Sequence, residues 1–167
     1  MPVLGVWVRR ALTATALVLA AVFVGLGATG GAWYWNDASL RAAQQTRAQL
    51  APMAAEAVPQ IFGFDYQTVE TSMIEVYPLL TPQFRTDFEK QAHDRIIPEA
   101  RQRKAVSQVN VVGQGVVDAQ RRSGSVLVYL NRTVTDDGKE PIVDGARVQV
   151  FYQKIDGRWL IDNIKPV

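Results

Sequence analysis

One stretch of this 167-residue chain constrains it more than any other: "ALTATALVLAAVFVGLGATGGAWYW", residues 11–35, contains no charged side chain. As a helix it would run about 37 Å at 1.5 Å per residue, enough to cross a bilayer with some tilt. Arg9 and Arg10 precede it, and Trp33, Tyr34 and Trp35 close it. Amphipathic rings favour the headgroup level, and the positive-inside rule holds the basic end in the cytoplasm. The expectation is a single-pass plasma-membrane anchor with residues 1–10 cytoplasmic and everything after Trp35 outside. A cleaved signal peptide is the rival, since "GATGGA" offers small residues to a peptidase. The run is longer than a usual h-region of ~7–15 residues, however, and it ends in aromatic anchors. Either way the rest of the chain is exported.

The anchor also carries the charge asymmetry. Residues 1–36 hold two arginines and no acid, which leaves 16 basic and 16 acidic groups for the remainder. An exported domain of zero net charge has no electrostatic footprint for nucleic acid. The chain has no cysteine, so disulfides, thiolate nucleophiles and thiolate metal sites are excluded and the exported part must hold by its core.

After the anchor, residues 36–60 are rich in Ala and Gln, with Leu40, Ala43, Arg47, Leu50 and Ala54 near one stripe. This reads as a lightly packed helical stalk, kinked at Pro52 and ended at Pro59, because proline lacks the N–H that a helix interior needs. A second helix follows, with Asp65 as its N-cap and Val69, Met73, Val76 and Tyr77 on its buried face. Thr81-Pro82 pairs a capping residue with a favoured first helical residue and starts a third helix. Its core positions are Phe84, Phe88 and Ile96, and Pro98 is expected to close or kink it, with "EARQRKA" able to add a last turn.

From Ala105 onward the hydrophobic period changes from that of a helix to two. Four runs rich in Val, Ile and Tyr are punctuated near Ser123-Gly124, Asp137-Gly138 and Asp156-Gly157. The last pair suits a type I′ hairpin. Gly113 and Gly115 predict a bulge or bend in the first strand. Helices followed by an antiparallel meander of about four strands is an α+β layout, with helices on one face of a curved sheet in residues 61–167.

The chemistry-bearing residues are few. His93 is the single histidine, so no two-histidine metal site can form, and no serine triad partner set is visible around it; a surface pair with Glu89 one turn earlier accounts for it. Capping accounts for Asp65 better than a general base does. Gly113 and Gly115 lack the third glycine and the helix of a dinucleotide loop. Asn131-Arg132-Thr133 matches a glycosylation sequon by letter but lies in a strand. Trp159 fits core packing at least as well as ligand stacking. The sequence therefore predicts no enzyme, no catalytic residue, no metal and no cofactor.

The order of these segments, with "FGFDYQTVE", "LLTPQFRTDF", "IIPEARQRKAVSQVNVVGQGVV", "VLVYLNRTVT" and "KIDGRWLIDNIKPV", resembles the Mce-associated membrane proteins, or Mam proteins, of mycobacteria and related actinobacteria. The resemblance spans nearly the whole chain, with no single diagnostic motif. It implies an exported nuclear-transport-factor-2-like cone, a fold also found in assembly subunits of type IV secretion systems. It further implies a non-enzymatic accessory role in Mce-type lipid import, with Mce transporter proteins or other Mam proteins as partners beside the membrane. The alternative is a lipid-binding shuttle or holdase using the concavity of the cone, for which Phe84, Phe88, Tyr129, Phe151 and Trp159 are the candidate lining. A small hydrolase or isomerase of the same fold is disfavoured by the absent proton-transfer set.

Overall fold

The computed structural model describes residues 40–167, and the residues from Ala42 onward form one compact unit. The expected span and its anchors Arg9, Arg10, Trp33, Tyr34 and Trp35 lie outside the described residues. Within those residues, no helix is long and apolar enough to cross a membrane.

Helix α1 occupies residues 40–62 of the described chain and passes through both Pro52 and Pro59 without ending. The expectation of a lightly packed stalk ending at Pro59 is corrected here. Leu50, Ala54 and Val58 are fully buried, and Ala57 and Ile61 nearly so. Burial of that stripe offsets the roughly 3 kcal/mol that an interior proline costs, so tertiary packing overrides local preference. The helix stops where Gly63 donates its N–H to the Pro59 carbonyl at 2.8 Å, so close that a Cβ on Gly63 would fall 2.5 Å from that oxygen.

A two-residue strand, β1 (Phe64–Asp65), then pairs with the start of β2. Asp65 is therefore not the cap of the second helix. Its carboxylate accepts the Gln67 N–H at 2.9 Å and shapes the turn, while α2 (Val69–Val76) begins four residues later without a side-chain cap. A 3₁₀ turn (Tyr77–Leu79) leads to α3 (Pro82–Gln91). There the expected cap is present: the Thr81 hydroxyl accepts the Phe84 N–H at 3.3 Å and donates to Asp162 at 3.1 Å.

Pro98 does not end the helical segment. A π turn (Ala92–Ile96) intervenes, in which the Ile97 N–H reaches back to the Ala92 carbonyl, and α4 (Ile97–Arg103) follows with Pro98 in its first turn. The missing N–H is least costly there.

The meander is β2 (Ala105–Ala119), β3 (Ser123–Asp136), β4 (Ile142–Ile155) and β5 (Arg158–Pro166). With β1 it makes one antiparallel sheet in sequential order. Beside the glycines, β2 shifts register at Val112 and again at Val117, and the extra residues bend it. Asp156 and Gly157 both have positive φ, 49° and 81°, as the I′ hairpin requires. The result is a curled half-barrel with helices packed into its concave face, the nuclear-transport-factor-2-like architecture. Val126, Val128, Leu130, Val148, Val150, Tyr152 and Ile161 face Leu50, Val58, Met73 and Phe88 in a single core.

Candidate functional site

The concave face is not filled along its whole length. At the end where α1 stops, a cleft of about 740 Å³ opens between the helices and the sheet. Helix α3, the π turn and α4 supply one wall through Phe84, Phe88, Arg95, Ile96, Glu99 and Arg103. Strands β3 to β5 supply the other through Arg132, Val134, Asp144, Val148 and Ile164, and Ile61, Phe62 and Phe64 form the floor at the end of α1. Ile142 and Val143, 64% and 71% exposed, put an apolar lip on the same opening.

Alternation along the strands decides which side chains reach this cleft. The inward rank of β3 is Val126, Val128 and Leu130, continuing as Arg132, Val134 and Asp136. Across the ladder Arg132 faces Val109 on β2 and Asp144 on β4. Charge on a strand's buried face must be paired. Arg132 Nη2 donates to Asp144 at 3.1 Å, and Arg103 donates to Asp136 through Nη2 at 2.6 Å and Nε at 3.0 Å. Arg103 Nη1 also holds Glu99 at 3.0 Å, and the hydrogen bonds to Asp136 and Glu99 push the Arg103 guanidinium pKa further up. Both carboxylates lining the cleft are thus tied to arginines.

The aromatic wall has its own order. Phe88 meets Tyr77 edge-on at 6.4 Å and Phe84 at 6.3 Å, while the Arg85 guanidinium lies 4.9 Å over the Tyr77 ring. Burial, reinforced by Glu89, raises the Tyr77 pKa.

Of the five candidate lining residues, the cleft brings together Phe84 and Phe88. Tyr129 and Phe151 fall on the opposite parity from Val128 and Tyr152 and so stand on the convex face, with Tyr129 43% exposed. Trp159 pairs with Lys154 at the far end of the half-barrel, where its indole N–H donates to Gln49 of α1 at 3.0 Å. The arginines and carboxylates of the cleft were not among the candidates. Their signal was present in the sequence, since Arg132 stands in phase with Val126, Val128 and Leu130.

His93 is exposed on the π turn and does not line the cleft. The expected pair with Glu89 does not form among the described residues. A π turn departs from the 3.6-residue repeat that would stack the two side chains. No cluster of metal-ligating side chains occurs among the described residues. What the cleft offers chemically is an apolar floor beneath guanidinium donors.

No family model matches the sequence. A Mycobacterium tuberculosis protein named as an outer membrane protein is 26% identical over 133 residues, 80% of this chain and 83% of that relative. A second protein of the same organism, named uncharacterized, is 26% identical over 146 residues, 84% of this chain and 65% of its own length. Among solved structures, an IcmL-like type IV secretion system protein of Legionella pneumophila superposes with a TM-score of 0.63 at 12% identity, covering 72% of this chain and 91% of the other. The periplasmic domain of DotI gives 0.60 at 12%, covering 72% and 94%. VirB8 of Agrobacterium tumefaciens gives 0.53 at 16%, covering 67% and 85%. At these identities the likeness is one of fold: the chain has the helix-on-half-barrel architecture of the VirB8 and IcmL-like domains.

Proposed function

We propose that this chain is a non-enzymatic accessory subunit of a multiprotein complex in the cell envelope, and that the complex is an Mce-type lipid import system. The observation that carries the first part is the cleft itself. Its two lining carboxylates are held by arginines at 3.0 and 3.1 Å and the single histidine lies elsewhere, so the cleft offers no free acid or base beside its apolar floor. General acid–base chemistry needs such a group within reach of substrate. The fold shared with type IV secretion components, and a relative named as an outer membrane protein, support an envelope setting with the domain outside the cytoplasm. The Mce assignment rests on the resemblance of the segment order to Mam proteins.

In this proposal residues 11–35 anchor the chain, with Arg9 and Arg10 cytoplasmic and Trp33, Tyr34 and Trp35 at the outer headgroup level. The compact domain meets its partners on the extracytoplasmic side. The shuttle reading draws on the cleft alone. Affinity purification of the intact protein from its native membranes separates the two. Mce components or other Mam proteins in the eluate are the expected result; bound lipid without protein partners would replace the accessory reading by the shuttle.

A further inference from the structure

Two polar atoms near the cleft are buried with no hydrogen-bond partner among the described residues: Nε of Arg132 and Oδ1 of Asp136. The Asp136 oxygen is the second of a carboxylate already saturated on its other side by Arg103. Arg132 Nε is a donor with nothing to donate to, and an unmet buried donor is costly. Among the described residues Arg95, on the π turn at the opposite wall, makes no ion pair or hydrogen bond either. The remaining charges nearly cancel, because Arg103 is held by Asp136 and Glu99, and Arg132 by Asp144. Recognition here therefore depends on unspent donors above an apolar floor rather than on net charge.

Donors of the guanidinium kind favour anions with several oxygens, such as carboxylate and phosphate. The apolar side chains of floor and walls, among them Phe62, Phe88, Val148 and Ile164, favour an aliphatic or aromatic tail. A volume of 740 Å³ lies within the ~300–1,000 Å³ of small-molecule sites. We propose that the cleft binds a single-chain amphiphile with an anionic head, the head accepting from Arg95 and, on a shift of the Arg132 side chain that uncovers its buried Nε, from Arg132, with the tail lying along Phe62, Phe88 and Ile164. The π turn has a role in this: the extra residue it inserts sets where Arg95 stands on the helical wall. This inference concerns the same cavity as the shuttle reading and is independent of membership in an Mce complex, so either can fail alone.

The test uses the full chain held in amphipol and a photoactivatable palmitate with its diazirine near the chain end, with labelled peptides mapped by mass spectrometry. Label is expected on the segments carrying Phe62, Phe88 and Ile164. Palmitate and a lysophosphatidate should both compete, and whichever competes better identifies the head as carboxylate or phosphate; palmityl alcohol, with the same tail and no anion, should compete at least tenfold less well. Shortening the carboxylate competitor should weaken it by about fourfold per methylene as long as the tail is buried. Arg95→Ala should raise the palmitate needed by about tenfold, as loss of a charge-assisted hydrogen bond does. Its melting curve should be unchanged, because Arg95 is exposed and unpaired. Glu99→Gln, which removes a nearby negative charge and leaves Arg103 on Asp136, should lower the palmitate needed. Equal competition by the alcohol, indifference to both substitutions, or label confined to residues 1–39 would each overturn the proposal.

Discussion

The two ends of the half-barrel are built from the same four strands with the same alternation, yet one is dry and the other open. At the closed end Val126, Val128 and Val150 are fully buried and Tyr152 is 3% exposed. Leu50 of α1 lies over Gly124, where a Cβ would fall onto its Cδ1 and within 2.9 Å of the Asp118 carbonyl oxygen. Thr46 and Gln49, further up α1, fasten that end by hydrogen bonds to the Gln120 carbonyl at 2.9 Å and to the Trp159 indole at 3.0 Å. Further along the strands the inward rank changes from valines to Arg132, Asp144 and Asp136, and the aliphatic residues Ile142 and Val143 face solvent. The helix covering the sheet ends at Phe62, and no side chain of Leu50's kind fills the space beyond. Stability is thus concentrated where α1 meets the sheet, and the other end is left open.

Truncation at the closed end should have the largest effect. Leu50→Ala removes the largest fully buried side chain of α1 and leaves a cavity between helix and sheet, at a cost of about 2–5 kcal/mol. The corresponding change on the open lip, Val143→Ala, should stay within about 0.5 kcal/mol. Urea unfolding of both variants measures the contrast directly. Similar losses for the two would mean that the ends are not energetically distinct.

Gly124→Ala sharpens the same comparison from the sheet side. The new methyl would meet Leu50 and the Asp118 carbonyl, and overpacking of this kind costs about 1–3 kcal/mol. If Leu50 is the main obstacle, the double variant Leu50→Ala, Gly124→Ala should be less destabilised than the sum of the single changes, since the methyl would enter the vacated space. Strict additivity would place the conflict at the Asp118 backbone instead.

What the sequence made legible follows the range of the forces involved. The Thr81 cap, the Asp156-Gly157 hairpin and the four long strands depend on contacts within a few residues, and they appear where expected. The course of α1 through Pro52 and Pro59 does not, because it is set by burial against strands 45 to 110 residues away. The two-residue β1 is too short to have a period, and it takes Asp65 out of the capping position. The π turn is invisible to any 3.6-residue template, which sets Glu89 and His93 at a spacing the chain does not keep. The lining of the cleft was half legible. Phe84 and Phe88 came from helical spacing. Tyr129 and Phe151 are aromatic, but parity with Val128 and Tyr152 turns them outward, and the same parity turns Arg132 inward.

The smallest expected effect lies at the core of the closed end, in one oxygen atom. The Tyr152 hydroxyl is buried with no hydrogen-bond partner among the described residues, so the ring contributes by packing while the hydroxyl contributes a desolvation cost. Tyr152→Phe keeps the ring and should be neutral at pH 7 or stabilising by about 1 kcal/mol. Burial also raises the phenol's pKa above its ordinary value. In the unfolded chain the phenol ionises near pH 10, whereas in the folded domain it stays neutral past that point. Stability associated with the neutral phenol is therefore fully present below about pH 10 and is lost as pH rises from there toward the folded pKa. Substitution by phenylalanine should flatten that alkaline decline, and Tyr77, whose pKa is also raised, should leave a weaker residual slope. Thermal melts of the two forms between neutral pH and about pH 11 give both readouts. A destabilisation of 1 kcal/mol or more at pH 7, or an unchanged alkaline slope, would show that the hydroxyl has a partner and that the closed end is less dry than the open end's contrast requires.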